Sequence, residues 1–417
     1  MALRVDSDPQ SARPRGAALA AGLRVLASLA LALASLASLA SLGPVLTSAQ
    51  RRELPVPTAI EDPTGHALDA VREALARASS RRARIAFWGA SHTASDQYTG
   101  VVRRRLEARF GGGGPGELAP ARPFPLYDRS DVELAEATGW TGLSTRGHRV
   151  ADHYGRAGFA LEATGPARAI ARPSASIARV ELWAMAQPGG GTVGLEVDGA
   201  RAEARTDGRR GELVRLALDV APGQHAIAAV AAGDGPVRLF GVVAEDAGDR
   251  GVVVESFGVP GARARDALLW DAEGFVSQLA ARPPDLFVLA YGTNESGERR
   301  AEPELEADMR ALVARLRRGA PAASCLVMGP SDRPRLGPGG WAPSPRSAPV
   351  RDAFRRAALA EGCAFFDLLA FQGGPGSAGE WVARGWAIED HVHLSDEGHR
   401  LVGEALAREL TRGVPGR

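Results

Sequence analysis

Ile85-Ala-Phe-Trp-Gly-Ala-Ser91-His92 is an apolar run closed by a glycine, with a hydroxyl and an imidazole just beyond it. It predicts a short strand at Ile85–Trp88 whose carboxyl end carries chemistry. Upstream, an amphipathic helix is expected at Leu68–Ala78. Downstream, a helix near Val101–Phe110 ends in the glycine run 111–114, a strong stop signal. The same rhythm returns after residue 250. Apolar strands at Val252–Ser256, Leu286–Ala290, Cys325–Met328 and Ala364–Leu368 alternate with helical stretches near Ala262–Ala280, Pro303–Arg318 and Val350–Glu361. A last helix follows at Asp396–Thr411. Strand and helix in alternation imply an α/β domain, a parallel sheet with helices on both faces.

From about Phe159 to Val243 the period changes to two, in short runs separated by Gly, Pro and Asp. That pattern predicts an all-β, jelly-roll-like sandwich inserted into the α/β domain. The expected organisation is an export segment at 1–49, a linker at 50–64, α/β parts at 65–150 and 249–417, and the module at 151–248. The N-terminus sets arginines before an uncharged run from Val25 to Leu46, the pattern of an export signal or an uncleaved membrane anchor. Small residues Thr47 and Ala49 suit cleavage, so both outcomes stay open, with membrane association through this segment as one of them. A periplasmic, secreted or membrane-anchored location is expected.

The 50 basic and 49 acidic residues leave a formal charge of +1, which argues against nucleic acid as a partner. Every basic residue is arginine, which excludes a P-loop lysine, a Schiff-base lysine and a Ser-Lys dyad. Asn294 is the only asparagine, where ordinary usage would supply on the order of a dozen. Cys325 and Cys363 each sit in an apolar run and read as buried core thiols, with a bridge between neighbouring strands as the alternative.

Four segments fall at expected strand ends: Ser91-His92, Gly258, Tyr291-Gly-Thr-Asn294-Glu295, and Asp390-His-Val-His393 before the last helix. A serine hydroxyl needs an imidazole to remove its proton, and the imidazole needs an acceptor to fix its tautomer. Asp390 and His393 stand three apart and can make that pairing locally; His391 and His399 lack the spacing and read as an exposed neighbour and a helix-surface residue. The N–H groups of Ser91 and Gly258 and the amide of Asn294 are the candidate oxyanion donors. Asn294-Glu295-Ser296 also spells a glycosylation sequon, but its place in the crevice favours the donor role.

These blocks resemble the SGNH (GDSL) hydrolase family over roughly residues 80–110 and 250–412. The resemblance implies a flavodoxin-like three-layer sandwich and assigns Ser91 as nucleophile, Gly258 and Asn294 as oxyanion donors, and Asp390 with His393 as the Asp-x-x-His pair. Where the family usually has Gly-Asp-Ser, this chain has Ala90. The inserted β module and the Ser91-His92 pair are similar to a subgroup that includes bacterial peptidoglycan O-acetyl esterases. The resemblance therefore implies an exported serine esterase acting on small acyl esters of a carbohydrate. A lipase or thioesterase, an O-acetyltransferase and a non-catalytic glycan-binding envelope protein use overlapping features. Ester hydrolysis by this route needs no cofactor, and no metal-ligand spacing occurs. His92 and Trp341, the latter in a Pro/Gly/Arg-rich loop at 331–347, are candidate substrate contacts; Trp183 in the module reads as core.

Overall fold

The alternation in β1 (Ala83–Gly89) sets the layers. Ile85 and Phe87 turn to one face of the sheet, Ala86 and Trp88 to the other, and all four are fully buried. A computed structural model describes residues 53–146 and 149–416 of the chain; the expected export segment lies outside them. Among the described residues, no helix is long and apolar enough to cross a membrane.

Four further strands join β1 in one parallel sheet: β2 (Val252–Gly258), β3 (Leu286–Ala290), β4 (Ser324–Met328) and β5 (Ala364–Phe366). Their order is β2-β1-β3-β4-β5. The helices that matter here are α1 (Asp69–Ala76), α2 (Ser91–Ala94), α3 (Gln97–Phe110), α4 (Ala272–Ala281), α5 (Glu302–Gly319), α6 (Ser347–Ala360) and α7 (Asp396–Leu410). Val71, Val102 and Leu406 from α1, α3 and α7 cover the Ile85 face. Leu279, Leu312 and Phe354 from α4, α5 and α6 cover the Trp88 face. Each such fully buried side chain contributes about 1.5–3 kcal/mol. This is a flavodoxin-like three-layer sandwich, and the strand order reverses around β1, where such sheets open a crevice at their carboxyl ends.

Cys325 and Cys363 are joined in a disulfide, not held as two thiols. The register of β4 and β5 aligns Leu326 with Ala364, which makes the preceding residues neighbours with Cα atoms 4.7 Å apart. Sequence spacing of 38 carried no trace of that register. Residues read as a linker are also tied down: Glu61 bridges to Phe365, and Leu54 and Ile60 pack on the core.

The inserted module is a sandwich of two antiparallel sheets with an apolar core between them. Trp183 is buried beneath its first sheet, as expected. The module's sheets begin well before residue 151. Gly116–Leu118 pairs with Val237–Glu245, Val132–Thr138 with Ala167–Pro173, and Thr141–Ser144 with Phe159–Ala163. The strand Val132–Thr138 is mostly exposed, so it lacks the apolar alternation that would have marked it.

A buried ionic cluster fastens the module to the parallel sheet. Arg156 pairs with Glu117 from the module and, at 2.9 and 3.0 Å, with both carboxylate oxygens of Glu255 on β2. Arg282 reaches the same Glu255 at 3.1 Å and also pairs with Glu245. Burial alone would raise the Glu255 carboxyl; Arg156 and Arg282 outweigh it and hold the group down at about 2.

Candidate active site

The turn after β1 exists because two glycines let three backbones meet. A Cβ on Gly89 would lie 2.2 Å from Thr93 Oγ1 and 2.8 Å from the Ala290 carbonyl. A Cβ on Gly258 would lie 2.1 Å from the Ala94 nitrogen and 2.6 Å from the Ala90 oxygen. Gly258 thus lets the end of β2 press against the turn that presents Ser91. The Ala90 carbonyl accepts from the N–H groups of Thr93 and Ala94 at 3.1 and 2.9 Å, and Ser256 Oγ donates to the Thr93 carbonyl at 2.7 Å. Support also comes from Asp96, fully buried at φ 53°, which accepts from Thr99 Oγ1 and takes the Arg103 guanidinium on both oxygens. Burial would raise that carboxyl; Arg103, then Arg129, bring it down to about 2. These bonds brace the turn without a side-chain carboxylate at Ala90.

Across the crevice, α7 starts at Ser395, whose hydroxyl caps the Gly398 N–H at 3.3 Å. The loop before it folds on Asp390. Its Oδ1 accepts from the N–H groups of Val392 and His393, both at 2.9 Å, and its Oδ2 lies 2.6 Å from His393 Nδ1. Burial works to raise the Asp390 carboxyl, but the His393 ring and the two backbone donors prevail and hold it below the ordinary range. An ionised acceptor on Nδ1 places the ring proton there and leaves Nε2 as an acceptor. Nε2 lies 2.9 Å from Ser91 Oγ.

The third strand end completes the crevice. Gly89 is in register with Gly258 on one side and Ala290 on the other, so the segments bearing Ser91, Gly258 and Asn294 leave the sheet side by side. Asn294 Nδ2 donates to the Ala262 carbonyl at 3.0 Å. An amide nitrogen has two protons, and a second remains for an incoming oxygen.

The GDSL-like lipase/acylhydrolase family model matches residues 206–401. This span includes Gly258, Asn294, Asp390 and His393, and the module separates Ser91 from them in sequence. A solved structure described as a peptidoglycan O-acetylesterase in action is 27% identical, covering 84% of this chain and 95% of its own, with a TM-score of 0.70. These findings support a serine ester hydrolase similar to the SGNH (GDSL) family. A lipase/acylhydrolase from Enterococcus faecalis is 16% identical over 40% of this chain and 80% of its own, with a TM-score of 0.32. A family two carbohydrate esterase from Cellvibrio japonicus is 10% identical over 67% and 98%, with a TM-score of 0.28. No curated protein matches in sequence.

Of the histidines near the crevice, His399 and His391 sit differently from their sequence readings. His399 is 3% exposed, not on the helix surface, because that face of α7 packs on α3, where the ring stacks on Tyr98 at 6.2 Å. His92, a candidate pocket residue, lies 5.5 Å from both the His393 and His399 rings, and its Nε2 is closed off from solvent. Burial, then the neighbouring His393, lowers its pKa to about 4, so it backs His393 as a neutral ring. His391 is half-buried, adopts φ 58° and lies against Trp341, ring centroids 4.4 Å apart. Trp341 is 40% exposed on a hairpin that pairs it with Leu336.

Two residues of the site escaped sequence reasoning. Glu295 is buried under the Asn294 turn, its two oxygens accepting from the N–H groups of Ala264 and Gly292 at 2.8 and 3.0 Å. Its position directly after Asn294 was the one available signal. Arg333, from the loop after β4, donates to Thr293 O and Asn294 Oδ1 at 3.1 and 3.2 Å. In a chain with 50 arginines, nothing singled it out.

Proposed function

We propose that this esterase removes acetyl groups from an O-acetylated cell-wall carbohydrate, with peptidoglycan as the polymer, outside the cytoplasm. The observation that carries the reading is the hydrogen-bonded line from Ser91 Oγ through the His393 ring to Asp390, at 2.9 and 2.6 Å. The likeness to a peptidoglycan O-acetylesterase along most of both chains supports the substrate class. The arginine-flanked apolar run at 25–46 and the Cys325–Cys363 disulfide support an oxidising compartment.

In the proposed reaction Ser91 Oγ attacks the ester carbonyl as His393 Nε2 takes its proton. Asp390 holds the ring in the right tautomer and stabilises the imidazolium. The Asn294 amide, with the N–H groups of Ser91 and Gly258, receives the oxyanion, an interaction worth about 10²–10³ in rate per donor. His393 then protonates the departing sugar oxygen. Water, deprotonated by the same ring, releases acetate and restores Ser91.

Release of acetate from O-acetylated peptidoglycan, and turnover of 4-nitrophenyl acetate beside the octanoyl ester, test this. The wild type is expected to favour acetyl. Ser91→Ala is expected to lose activity by at least about 10⁴-fold with an unchanged melting temperature. Undiminished turnover in that variant removes Ser91 as nucleophile, and a preference for octanoate replaces the acetyl assignment with a lipase.

A further inference from the structure

The Asn294 amide is gripped from both sides. Its Nδ2 faces a carbonyl, Ala262 O, which only accepts; its Oδ1 faces a guanidinium, Arg333, which only donates. The two partners together permit one orientation of the amide plane. Arg333 is seated for this: the same Nη1 also donates to Thr293 O, and the guanidinium lies over Gly297, where a Cβ would come within 3.2 Å of its Cζ. Any side chain at position 297 would crowd it. Among the described residues no carboxylate forms an ion pair with Arg333; Asp390 and Glu295 act on it only at longer range, and Arg263 faces it with like charge.

We propose that Arg333 is a positioning residue for the esterase reaction, one that aims the Asn294 amide at the acyl oxygen and leaves an unpaired positive charge beside it. The inference rests on the Ser91 esterase reading. A charged donor on Oδ1 draws density from the amide and strengthens its N–H as a donor. That N–H matters most when the carbonyl oxygen becomes an oxyanion, so the effect belongs to the transition state and to kcat, not to KM.

The test is a double-mutant cycle on the full chain with 4-nitrophenyl acetate, using Arg333→Met, Asn294→Ala and the pair, beside Ser91→Ala. Arg333→Met is expected to lower kcat about 10–100-fold with KM within about twofold. Arg333→Lys, which keeps the charge, recovers part of the loss. In the Asn294→Ala background, Arg333→Met is expected to cost under about threefold, because the residue acts through that amide. An unchanged kcat in Arg333→Met overturns the proposal, as does a loss equally large in both backgrounds. Should the methionine variant not fold, Arg333→Lys carries the same comparison in the two backgrounds. The outcomes separate: activity surviving in Ser91→Ala defeats the esterase reading itself, whereas an inert Ser91→Ala with a fully active Arg333→Met defeats only this inference.

Discussion

The side chains of Asp390 and His393 are each 43% exposed, whereas Arg156 and Glu255, which join the module to β2, are 0% and 1% exposed. Both are carboxylates paired with nitrogen bases, and they do opposite work. In the buried cluster each carboxylate meets a guanidinium that never loses its proton, and at Glu255 and Glu245 the arginines outweigh burial and hold the carboxyl ionised. At the crevice the imidazole of His393 is held by Asp390 at one nitrogen and by Ser91 Oγ at the other, and in the proposed reaction it takes and returns a proton in every cycle. A histidine locked into the Arg156 cluster would be a structural cation. The difference teaches that a proton-transfer site needs light, partly solvated pairing, and that dense pairing is kept for places where nothing should titrate.

Arg156→Met is the largest test of that contrast. It strips Glu117 of its arginine and takes one of two from Glu255, leaving buried carboxylates short of partners. Breaking a buried pair on one side costs about 3–5 kcal/mol, a fall in melting temperature of about 5–15 °C. Turnover per folded molecule is expected to be unchanged, because the cluster touches neither Ser91 nor His393. Adding Glu117→Gln should restore part of the stability. A melting temperature unmoved by Arg156→Met would show that the buried cluster contributes no more than a surface pair.

The two regions also differed in how well they could be read. The crevice residues lie at strand ends in short local patterns: Asp390 and His393 three apart, Asn294 alone of its kind, Ser91 two past a glycine. Local spacing is what a sequence exposes directly. The parallel sheet was legible for the same reason, since buried strands are unbroken apolar runs. The buried cluster was not, because Arg156, Glu117, Glu255 and Arg282 come from four distant segments, and charged residues in sequence look like solvated surface. The early edge strands of the module and Arg333 were hidden likewise, and the Cys325–Cys363 bond was legible only as the lesser of two readings; each depends on register or on a loop that no periodicity encodes.

Glu295 sharpens the comparison from the crevice side, as a buried carboxylate with no guanidinium pair among the described residues. Burial pushes its pKa from 4.5 up to about 7, with the N–H groups of Ala264 and Gly292 pulling the other way. A carboxyl that holds its proton more tightly when folded contributes stability fully present below pH 4.5 and lost as pH rises toward 7. At about 1.4 kcal/mol per unit, the loss is up to about 3 kcal/mol. Melting curves at pH 5 and pH 8 are expected to show this drop in the wild type and a smaller one in Glu295→Gln. Equal slopes in the two proteins would mean that Glu295 stays ionised beneath the Asn294 turn, like Glu255.

Trp341 gives the smallest expected effect and probes the solvent side of the crevice. Its ring is 40% exposed, lies against His391 next to Asp390, and is paired across its hairpin with the exposed Leu336. An aromatic ring held rigid on one face and open on the other can cover an apolar sugar face at little entropic cost. Trp341→Ala should therefore raise KM for O-acetylated peptidoglycan about 3–10-fold, the loss of about 1 kcal/mol of contact. For 4-nitrophenyl acetate, which carries no glycan, KM and kcat should not move. If both substrates suffer alike, the ring is holding the His391–Asp390 loop in place and not the polymer. The contrast would then shift inward, with the exposed pair depending on a packed neighbour as the buried cluster does.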